Sequence, residues 1–309
     1  MKINELIQSA GRPFPSLEVV PPLTGMNSED ILRTIGDLVE FAPRYVNVTC
    51  HRDEYGFSQN SDGSWSRILT KSRRSPIEIC REISAKFGVE TVPHLICAGN
   101  SADDIRALVK EVTDAGIGNV MALRGDSLES ERRFTPAPGG YSHANELVKA
   151  IREQTGDTLC IGVGGYPEKH FEAANLDDDI SALKQKVEAG ADFIITQMFF
   201  DNAKFYDFSE RCLEAGITVP IIPGIKPLST VRHISLLPEA FSIDIPLPLT
   251  EAVREAEKDR FDPKEAVYRV GTDWAAAQVR DLLAHGVKAV HFYTMGRSRN
   301  IREILRRTF

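Results

Sequence analysis

Short runs of β-branched and apolar residues alternate with helical patterns along almost the whole chain, and this alternation is the feature that most constrains the fold. Eight such runs occur, and a segment with helical spacing follows each of them. Strands that are apolar on both faces are typical of parallel sheets covered by helices. The predicted strands are Leu17–Val20, Tyr45–Thr49, Thr91–Ile96, Val120–Leu123, Cys160–Val163, Phe193–Thr196, Val219–Ile222 and Ala289–Tyr293.

The number of these units selects one fold among the parallel α/β architectures. Eight βα units in 309 residues predict a single (β/α)8 barrel, or TIM barrel, with residues 1–309 as one domain. Two segments depart from the regular pattern. Residues 50–74 show no period and predict an irregular loop on the face that carries the active site. Between the seventh and eighth strands, Leu228–Leu237 and about three helical segments from Leu249 to His285 replace a single helix.

Charge and composition exclude several classes of protein. The chain has 37 Lys and Arg against 44 Asp and Glu, a net charge of −7, and no basic stripe, which argues against nucleic-acid binding. No run approaches the roughly 20 apolar residues of a membrane span, and the first residues lack the apolar stretch of a signal peptide. The 5 cysteines show no C-x-x-C spacing and the histidines no paired spacing, so we expect no metal site. We therefore expect a cytoplasmic protein without a membrane partner.

Polar residues stand at the ends of the predicted strands, where a (β/α)8 barrel collects its reactive groups. Glu18 is the most informative, because a carboxylate in an apolar strand should have a raised pKa and would suit a general acid. A structural glutamate paired with a buried Lys or Arg is an equal alternative. The other residues at strand ends are Thr49, His94, Arg124–Asp126, Tyr166–His170, Gln197, Pro223–Lys226, Tyr293 and Arg297.

Two further patterns have simple structural explanations. Arg124 and Asp126 flank Gly125 and can form an ion-paired loop, and His94 alone can be a core histidine with a satisfied hydrogen bond. The glycines at 162–165 lack the G-x-G-x-x-G spacing of a dinucleotide fingerprint, so the sequence predicts no Rossmann site.

Eight ordered motifs, spread over nearly the whole chain, resemble the methylenetetrahydrofolate reductase family. Such a series is far more specific than an analogy between barrels. The motifs are SLEVVPP at 16–22, VNVT at 46–49, PHLIC at 93–97, ALRGD at 122–126, GYPEKH at 165–170, LKQKVEAGADFIITQMFFD at 183–201, PIIPGIKP at 220–227 and HFYTMGR at 291–297.

The resemblance implies a cofactor and a reaction. The family holds FAD non-covalently at the C-terminal face of the barrel, and NAD(P)H and the folate use the same flavin face in turn. A hydride passes to the flavin and then to 5,10-methylenetetrahydrofolate, in a ping-pong sequence that gives 5-methyltetrahydrofolate for methionine biosynthesis. We expect a bacterial-type catalytic unit that prefers NADH to NADPH, because the sequence shows no basic cluster for a 2′-phosphate. We also expect a homo-oligomer.

The resemblance also assigns residues to roles. Glu18 corresponds to the acid that protonates N10 of the folate, and Asp126 to the carboxylate that stabilises the resulting cation. Gln197 corresponds to the amide that binds the pterin, and Arg297 to a residue near the glutamate tail. The positions that correspond to FAD contacts are Thr49, His94, Arg124, Gly125, Asp126, Tyr166, His170, Ala173, Asp179 and Lys186.

Four positions depart from the family pattern. Ala182 and Gln185 stand where bacterial relatives often have Asn and Arg, and His233 and Leu237 where they have Gln and Phe near the substrates. Two other functions stay open on the residues alone. One is a different FAD-dependent barrel, such as a proline-dehydrogenase-like oxidase, which would not need Glu18 and Gln197 together. The other is an inactive barrel that serves as a binding protein.

Overall fold

The computed structural model describes residues 1–126 and 134–309. Ten strands, numbered in chain order, form two sheets. The strands are β1 (Phe14–Val19), β2 (Tyr45–Val48), β3 (Glu54–Gln59), β4 (Trp65–Lys71), β5 (Glu90–Ile96), β6 (Asn119–Leu123), β7 (Cys160–Gly165), β8 (Phe193–Met198), β9 (Ile221–Ile225) and β10 (Ala289–Tyr293). Eight of them close into a parallel barrel in the order β1-β10-β9-β8-β7-β6-β5-β2, which confirms the predicted (β/α)8 fold.

Helices surround the barrel. They are α1 (Ile3–Ser9), α2 (Glu29–Gly36), α3 (Pro76–Phe87), α4 (Ala102–Asp114), α5 (Ala144–Thr155), α6 (Leu176–Glu188), α7 (Asn202–Glu214), α8 (His233–Phe241), α9 (Leu247–Ala256), α10 (Pro263–Ala284) and α11 (Arg299–Thr308). Polar side chains cap the first turn of several helices; Ser101 Oγ, for example, accepts from the Asp104 N–H and caps α4. No helix of the described residues is both long enough and apolar enough to cross a membrane.

Side-chain alternation divides each barrel strand into an outer and an inner side. Outward residues such as Leu17 and Phe292 belong to the main core between strands and helices. Inward residues near the N-terminal ends, among them Tyr45 and Phe193, form a second apolar cluster. Helix α1 contributes to this cluster through Ile3, so it closes the N-terminal end of the barrel. The opposite end is left open for polar groups.

The prediction of an irregular loop at residues 50–74 is wrong, because this segment contains the antiparallel hairpin β3–β4. Both faces of the hairpin are largely exposed, and for that reason no apolar period marked its strands. Backbone hydrogen bonds fasten the base of the hairpin to the segment after β1: the Thr24 N–H donates to Ser72 O over 2.9 Å and the Arg74 N–H to Pro22 O over 3.0 Å. The hairpin therefore starts at the C-terminal face, where the prediction put the segment.

Three helices, α8 to α10, separate β9 from β10, and this confirms extra helices between the seventh and eighth barrel strands. Their bounds differ from the prediction, because a single helix of 22 residues, α10, replaces two of the expected segments. The three helices bury an apolar cluster of their own with Met198 and Phe200 of the preceding barrel unit. This cluster supports one side of the C-terminal face.

Candidate active site

Three polar side chains meet inside the barrel near its C-terminal end. Glu18 of β1 lies between two histidines: its Oε2 is 3.7 Å from His94 Nε2 of β5 and 3.6 Å from His291 Nε2 of β10. On the far side of the His291 ring, Nδ1 lies 2.9 Å from Ser16 Oγ. Because β1 pairs with β10 in the register Ser16 to His291, closure of the barrel brings together residues from the two ends of the chain.

The surroundings of Glu18 change the expected electrostatics. Burial raises the pKa of this carboxyl, but the interaction with the His291 ring and the charges of His94, His291 and His51 outweigh burial, so the net pKa is lowered. The expected upward shift is therefore wrong for the protein without ligands. No Lys or Arg pairs with Glu18 among the described residues, so the alternative of a structural ion pair with a buried cation is not supported.

Several buried polar atoms inside the barrel have no hydrogen-bond partner within the described residues. They are His94 Nε2, His291 Nε2, Tyr45 Oη and both amide atoms of Asn47. Burial lowers the pKa of His94 to about 4, with a smaller opposing effect from Glu18, so this ring is neutral at pH 7. Buried polar groups in native proteins are nearly always satisfied, and unpartnered ones indicate a bound molecule or ordered water. The interior therefore offers donors and acceptors to a polar ligand.

Thr49, His51 and Asp126 lie around the rim near Glu18. Thr49 Oγ1 is 3.0 Å from His51 Nε2. Burial and the charge of Arg73 lower the pKa of His51, while Asp126 and Glu18 act in the opposite direction, which places both carboxylates within electrostatic range of this ring. His51 is thus a titratable group within electrostatic range of Glu18 and Asp126, the two residues to which the resemblance assigns catalysis.

The Arg124–Asp126 turn differs from the ion-paired loop that was the simple explanation. Arg124 pairs with Glu172, and within the described part of the chain it forms no ion pair with Asp126. Gly125 has a φ of +82°, and a Cβ there would lie 2.8 Å from the Ala98 Cβ. Glycine is therefore required for the turn, which leaves Asp126 exposed at the rim.

A second cluster of predicted site residues lies after β6 and β7. Lys186 is half-buried, donates from Nζ to Gly164 O over 3.0 Å, and has its pKa lowered to about 8 by desolvation against an opposing effect of Asp179. Asp179 accepts from the His170 N–H over 3.2 Å. The rings of Tyr166 and His170 meet edge to face at 4.9 Å. Ala173 continues the same turn, with its N–H donating to His170 O.

This second cluster has the chemistry of an anion site. Arg124 is close enough for its charge to lower the pKa of Lys186, so two cations share one region. The carboxylate of Glu172 neutralises Arg124. Guanidinium and ammonium groups bind phosphates through charge-assisted hydrogen bonds. A polyanion such as a pyrophosphate could therefore pair with these two cations.

Gln197 and Arg297 lie at the same face but apart from the Glu18 cluster. Gln197 is half-buried on β8, and its Oε1 accepts from the Met198 N–H over 2.9 Å. Arg297 is exposed in the turn after β10, where its N–H donates to Thr294 O. Neither side chain forms a hydrogen bond or ion pair with Glu18 or Asp126 in the described part of the chain.

The sequence did not single out Ser16, His51 or His291 as site residues. Ser16 stands two residues before Glu18, so strand alternation places both on the inner side of β1. His291 occupies the equivalent position on β10. For Ser16 and His291 the signal was the pairing of first and last strands that any closed barrel requires, whereas His51, in the segment after β2, had no such signal. The described residues hold no group of three or more metal-ligating side chains, and their five cysteines are free.

Comparisons with known proteins identify the family. The family model described as methylenetetrahydrofolate reductase matches residues 2–308. 5,10-Methylenetetrahydrofolate reductase of Escherichia coli is 32% identical over 296 residues, which cover 96% of this chain and 90% of that protein. Methylenetetrahydrofolate reductase (NADH) 1 of Arabidopsis thaliana is 32% identical over 307 residues, 96% of this chain. The chain spans about half the length of the plant and yeast relatives.

Solved structures give an independent view of the fold. A protein of Clostridium thermocellum, described as binding two copies of 5-methyl-5,6,7,8-tetrahydrofolic acid, superposes with a TM-score of 0.63. The alignment covers 99% of this chain and 97% of that protein at 13% identity, which shows a shared fold. Because the family model matches almost every residue, and the Escherichia coli protein is 32% identical over 96% of this chain, the chain belongs to the methylenetetrahydrofolate reductase family.

Proposed function

We propose that this protein reduces 5,10-methylenetetrahydrofolate to 5-methyltetrahydrofolate, with FAD as cofactor and NADH as the preferred hydride donor in a ping-pong sequence. The observation that carries the proposal is the carboxylate of Glu18 held between His94 and His291 at the open end of a barrel of this family. In this role the enzyme would supply methyl groups for methionine biosynthesis.

The residues at the C-terminal face fit FAD. Its ring system would lie among the side chains of Thr49, His94 and Asp126, where the buried His94 Nε2 has no hydrogen-bond partner among the described residues. Its pyrophosphate and adenosine would bind among the second cluster, formed by Arg124, Gly125, Tyr166, His170, Ala173, Asp179 and Lys186. When bound, FAD supplies the chemistry of accepting and donating a hydride.

Glu18 would hold the proton that opens the folate ring. Transfer of this proton to N10 lets the C–N10 bond break, and the bridge carbon becomes part of a cation at N5 that can accept a hydride. The carboxylate of Asp126, exposed at the rim, would stabilise the cation. Because the histidines lower the pKa of Glu18 in the free protein, bound ligands must restore the protonated form by excluding water.

The two half-reactions separate the role of Glu18 from a structural one. Glu18→Gln should abolish reduction of the folate but leave reduction of the flavin by NADH largely intact, since only the folate step needs a proton at N10. Stopped-flow absorbance follows each half-reaction. Glu54→Gln in the hairpin is the matched control, because it removes an exposed glutamate that pairs with Lys71.

Two outcomes would reject the proposal. Equal loss of both half-reactions in Glu18→Gln would make the residue structural. Purified protein without flavin absorbance near ~450 nm, even after incubation with FAD, would remove the cofactor on which the reaction depends and favour a binding protein.

A further inference from the structure

The hairpin β3–β4 stands apart from the barrel. It forms a separate sheet of two strands, and backbone hydrogen bonds fasten its base to the segment after β1. Every residue of β4 is exposed, and so is every residue of β3 except Gly56. A hairpin of two strands is marginally stable in water unless a further layer covers an apolar face. Among the described residues no such layer covers β3–β4, so this hairpin is an element that a partner would stabilise.

The register of the hairpin gives its two faces different chemistry. Side chains alternate along each strand, so the pairs at every second position share a face. These pairs bring six side chains together: Tyr55 with Leu69, Phe57 with Arg67, and Gln59 with Trp65. We call the face that carries these six side chains the aromatic face. The opposite face carries Gly56, Ser58, Ser66 and Ile68.

The aromatic face presents a continuous apolar area to solvent. Its side chains are 71% exposed at Phe57, 65% at Trp65, 53% at Leu69 and 45% at Tyr55. An aromatic side chain has about 150–250 Å² of surface, so these four together expose on the order of 500 Å². Apolar patches of this size on a protein surface are often sites of interaction. Single exposed apolar residues need no such explanation, whereas four neighbours on one face of one sheet do.

A second copy of this chain fits the aromatic face in both area and charge. Two such faces packed together would bury about 1,000 Å², which reaches the lower limit of a specific protein interface. The face carries one charged side chain, Arg67, whose guanidinium lies 3.7 Å from the centre of the Tyr55 ring. Phe57 and Arg67 are paired directly across the strands, so a two-fold axis along the strands would set each Arg67 over the Phe57 of the other copy. The face is thus complementary to itself and needs no acidic partner.

We propose that the aromatic face is a two-fold interface, at which a second copy of this chain packs its own hairpin to form a sandwich of two sheets. The four strands then share one apolar layer, which gives each hairpin the cover that it lacks in a single copy. The expected homo-oligomer had no assigned surface, and this interface supplies one. The aromatic face is separate from the residues assigned to the reaction, so the inference rests on no step of the proposed function.

Sedimentation velocity of the holoenzyme, at a series of concentrations around about 1 μM, tests the interface, because interfaces near the lower size limit are often transient. Phe57→Ser should raise the dissociation constant of the dimer at least about tenfold, since central aromatic side chains carry most of the energy of an interface. Ile68→Ser is the matched control. It removes an exposed apolar side chain from the opposite face of the same hairpin and should leave the constant within about twofold of the native value. In a larger assembly, Phe57→Ser should divide the particle and Ile68→Ser should not.

Acrylamide quenching of Trp65 gives a second readout at the aromatic face itself. The chain has 2 tryptophans, and the spectrum of Trp65→Phe supplies the contribution of the other one. Contact with a second copy shields Trp65, so its quenching in the native protein should fall as the concentration rises and should be stronger in Phe57→Ser. If Phe57→Ser does not fold, the fall in quenching with concentration in the native protein and in Ile68→Ser decides.

Three results would overturn the interface. One is a native holoenzyme that sediments as a single copy at every concentration. Another is an equal effect, or no effect, of Phe57→Ser and Ile68→Ser on the dissociation constant. The third is a Trp65 that is shielded from acrylamide in a monomer, which would show that the aromatic face folds onto its own barrel. Rates of folate reduction decide the proposed function alone, so the two proposals can fail separately.

Discussion

At the scale of single residues, the chemistry depends on a carboxylate whose neighbours are histidines. His94 of β5 and His291 of β10 lie 3.7 and 3.6 Å from Glu18, and Ser16 fixes the orientation of the His291 ring. A histidine can lower the pKa of a carboxyl while charged, and can hold or pass a proton when neutral. This arrangement links the protonation of Glu18 to the two histidines beside it.

The link predicts a shift in pH dependence for His291→Asn. His291 lowers the pKa of Glu18, so its removal should raise that pKa. Reduction of the folate requires protonated Glu18 and is lost as the pH rises through this pKa, so the variant should keep activity to a higher pH than the native protein. Single-turnover rates between pH 5 and 9 measure the shift. The flavin half-reaction, which needs no such proton, should keep its native profile. A shift to lower pH would contradict this account.

Asp126→Asn isolates the stabilisation of the substrate cation. A charge a few ångströms from a partly desolvated cation contributes on the order of 1–4 kcal/mol, so folate reduction should slow by roughly tenfold or more. Flavin content should change little, because Asn keeps the size of the side chain beside the flavin and a hydrogen-bonding group on it, and Arg124 is paired with Glu172 rather than with Asp126. The measurements are single-turnover folate reduction and the ratio of flavin to protein absorbance. Loss of flavin with an unchanged rate per bound flavin would instead assign Asp126 to cofactor retention.

The sequence predicted Glu18 as the central residue, but it could not predict the sign of the pKa shift. That sign depends on His291, which is 273 positions away in the chain and becomes a neighbour only when β1 pairs with β10. Burial can be inferred from an apolar strand, whereas partners across a closed sheet require the register.

At the scale of elements, strands and helices with a buried side were predictable, and exposed elements were not. Hairpin β3–β4 shows the difference. Its turn contains Asp62 and Gly63, a pair typical of hairpins, yet Tyr55, Phe57 and Trp65 are exposed rather than packed against the barrel. The periodicity did not predict helix α1, because this helix is only 7 residues long. Periodicity reports burial, so elements with little burial leave a weak signal.

The close contact between α10 and the segment after β9 predicts the effect of Gly271→Ala in α10. A methyl group at this position would overlap the backbone of Leu228, so the segment that carries Lys226 must move. Such overpacking typically costs about 1–3 kcal/mol. Thermal or urea unfolding should show this loss of stability. Gly118→Ala is the matched control, since a Cβ there meets nothing within 4 Å and should change stability little. An unaltered midpoint in Gly271→Ala would show that the segment adjusts freely.

At the scale of the whole molecule, closure of the barrel makes the pH dependence of the reaction and the pH dependence of stability rest on the same side chains. The groups that the barrel encloses for chemistry, Glu18 and His94 among them, are removed from water only in the folded state. In the unfolded chain their pKa values return to ordinary ones. The pH dependence of unfolding therefore reports on the same side chains as the pH dependence of the reaction.

This connection predicts that the protein loses stability as the pH falls from about 6.5 to 4. Burial holds the pKa of His94 at about 4 in the folded protein, against about 6.5 in the unfolded chain, so the unfolded state binds more protons in this window. The free energy of unfolding contributed by this ring is complete above pH 6.5 and declines by at most roughly 3 kcal/mol on going to pH 4. Urea unfolding at a series of pH values measures the slope. His94→Gln keeps a polar side chain but cannot bind the proton, so its stability should vary less steeply with pH, whatever its absolute value. A slope equal to that of the native protein would show that His94 already takes up its proton in the folded barrel.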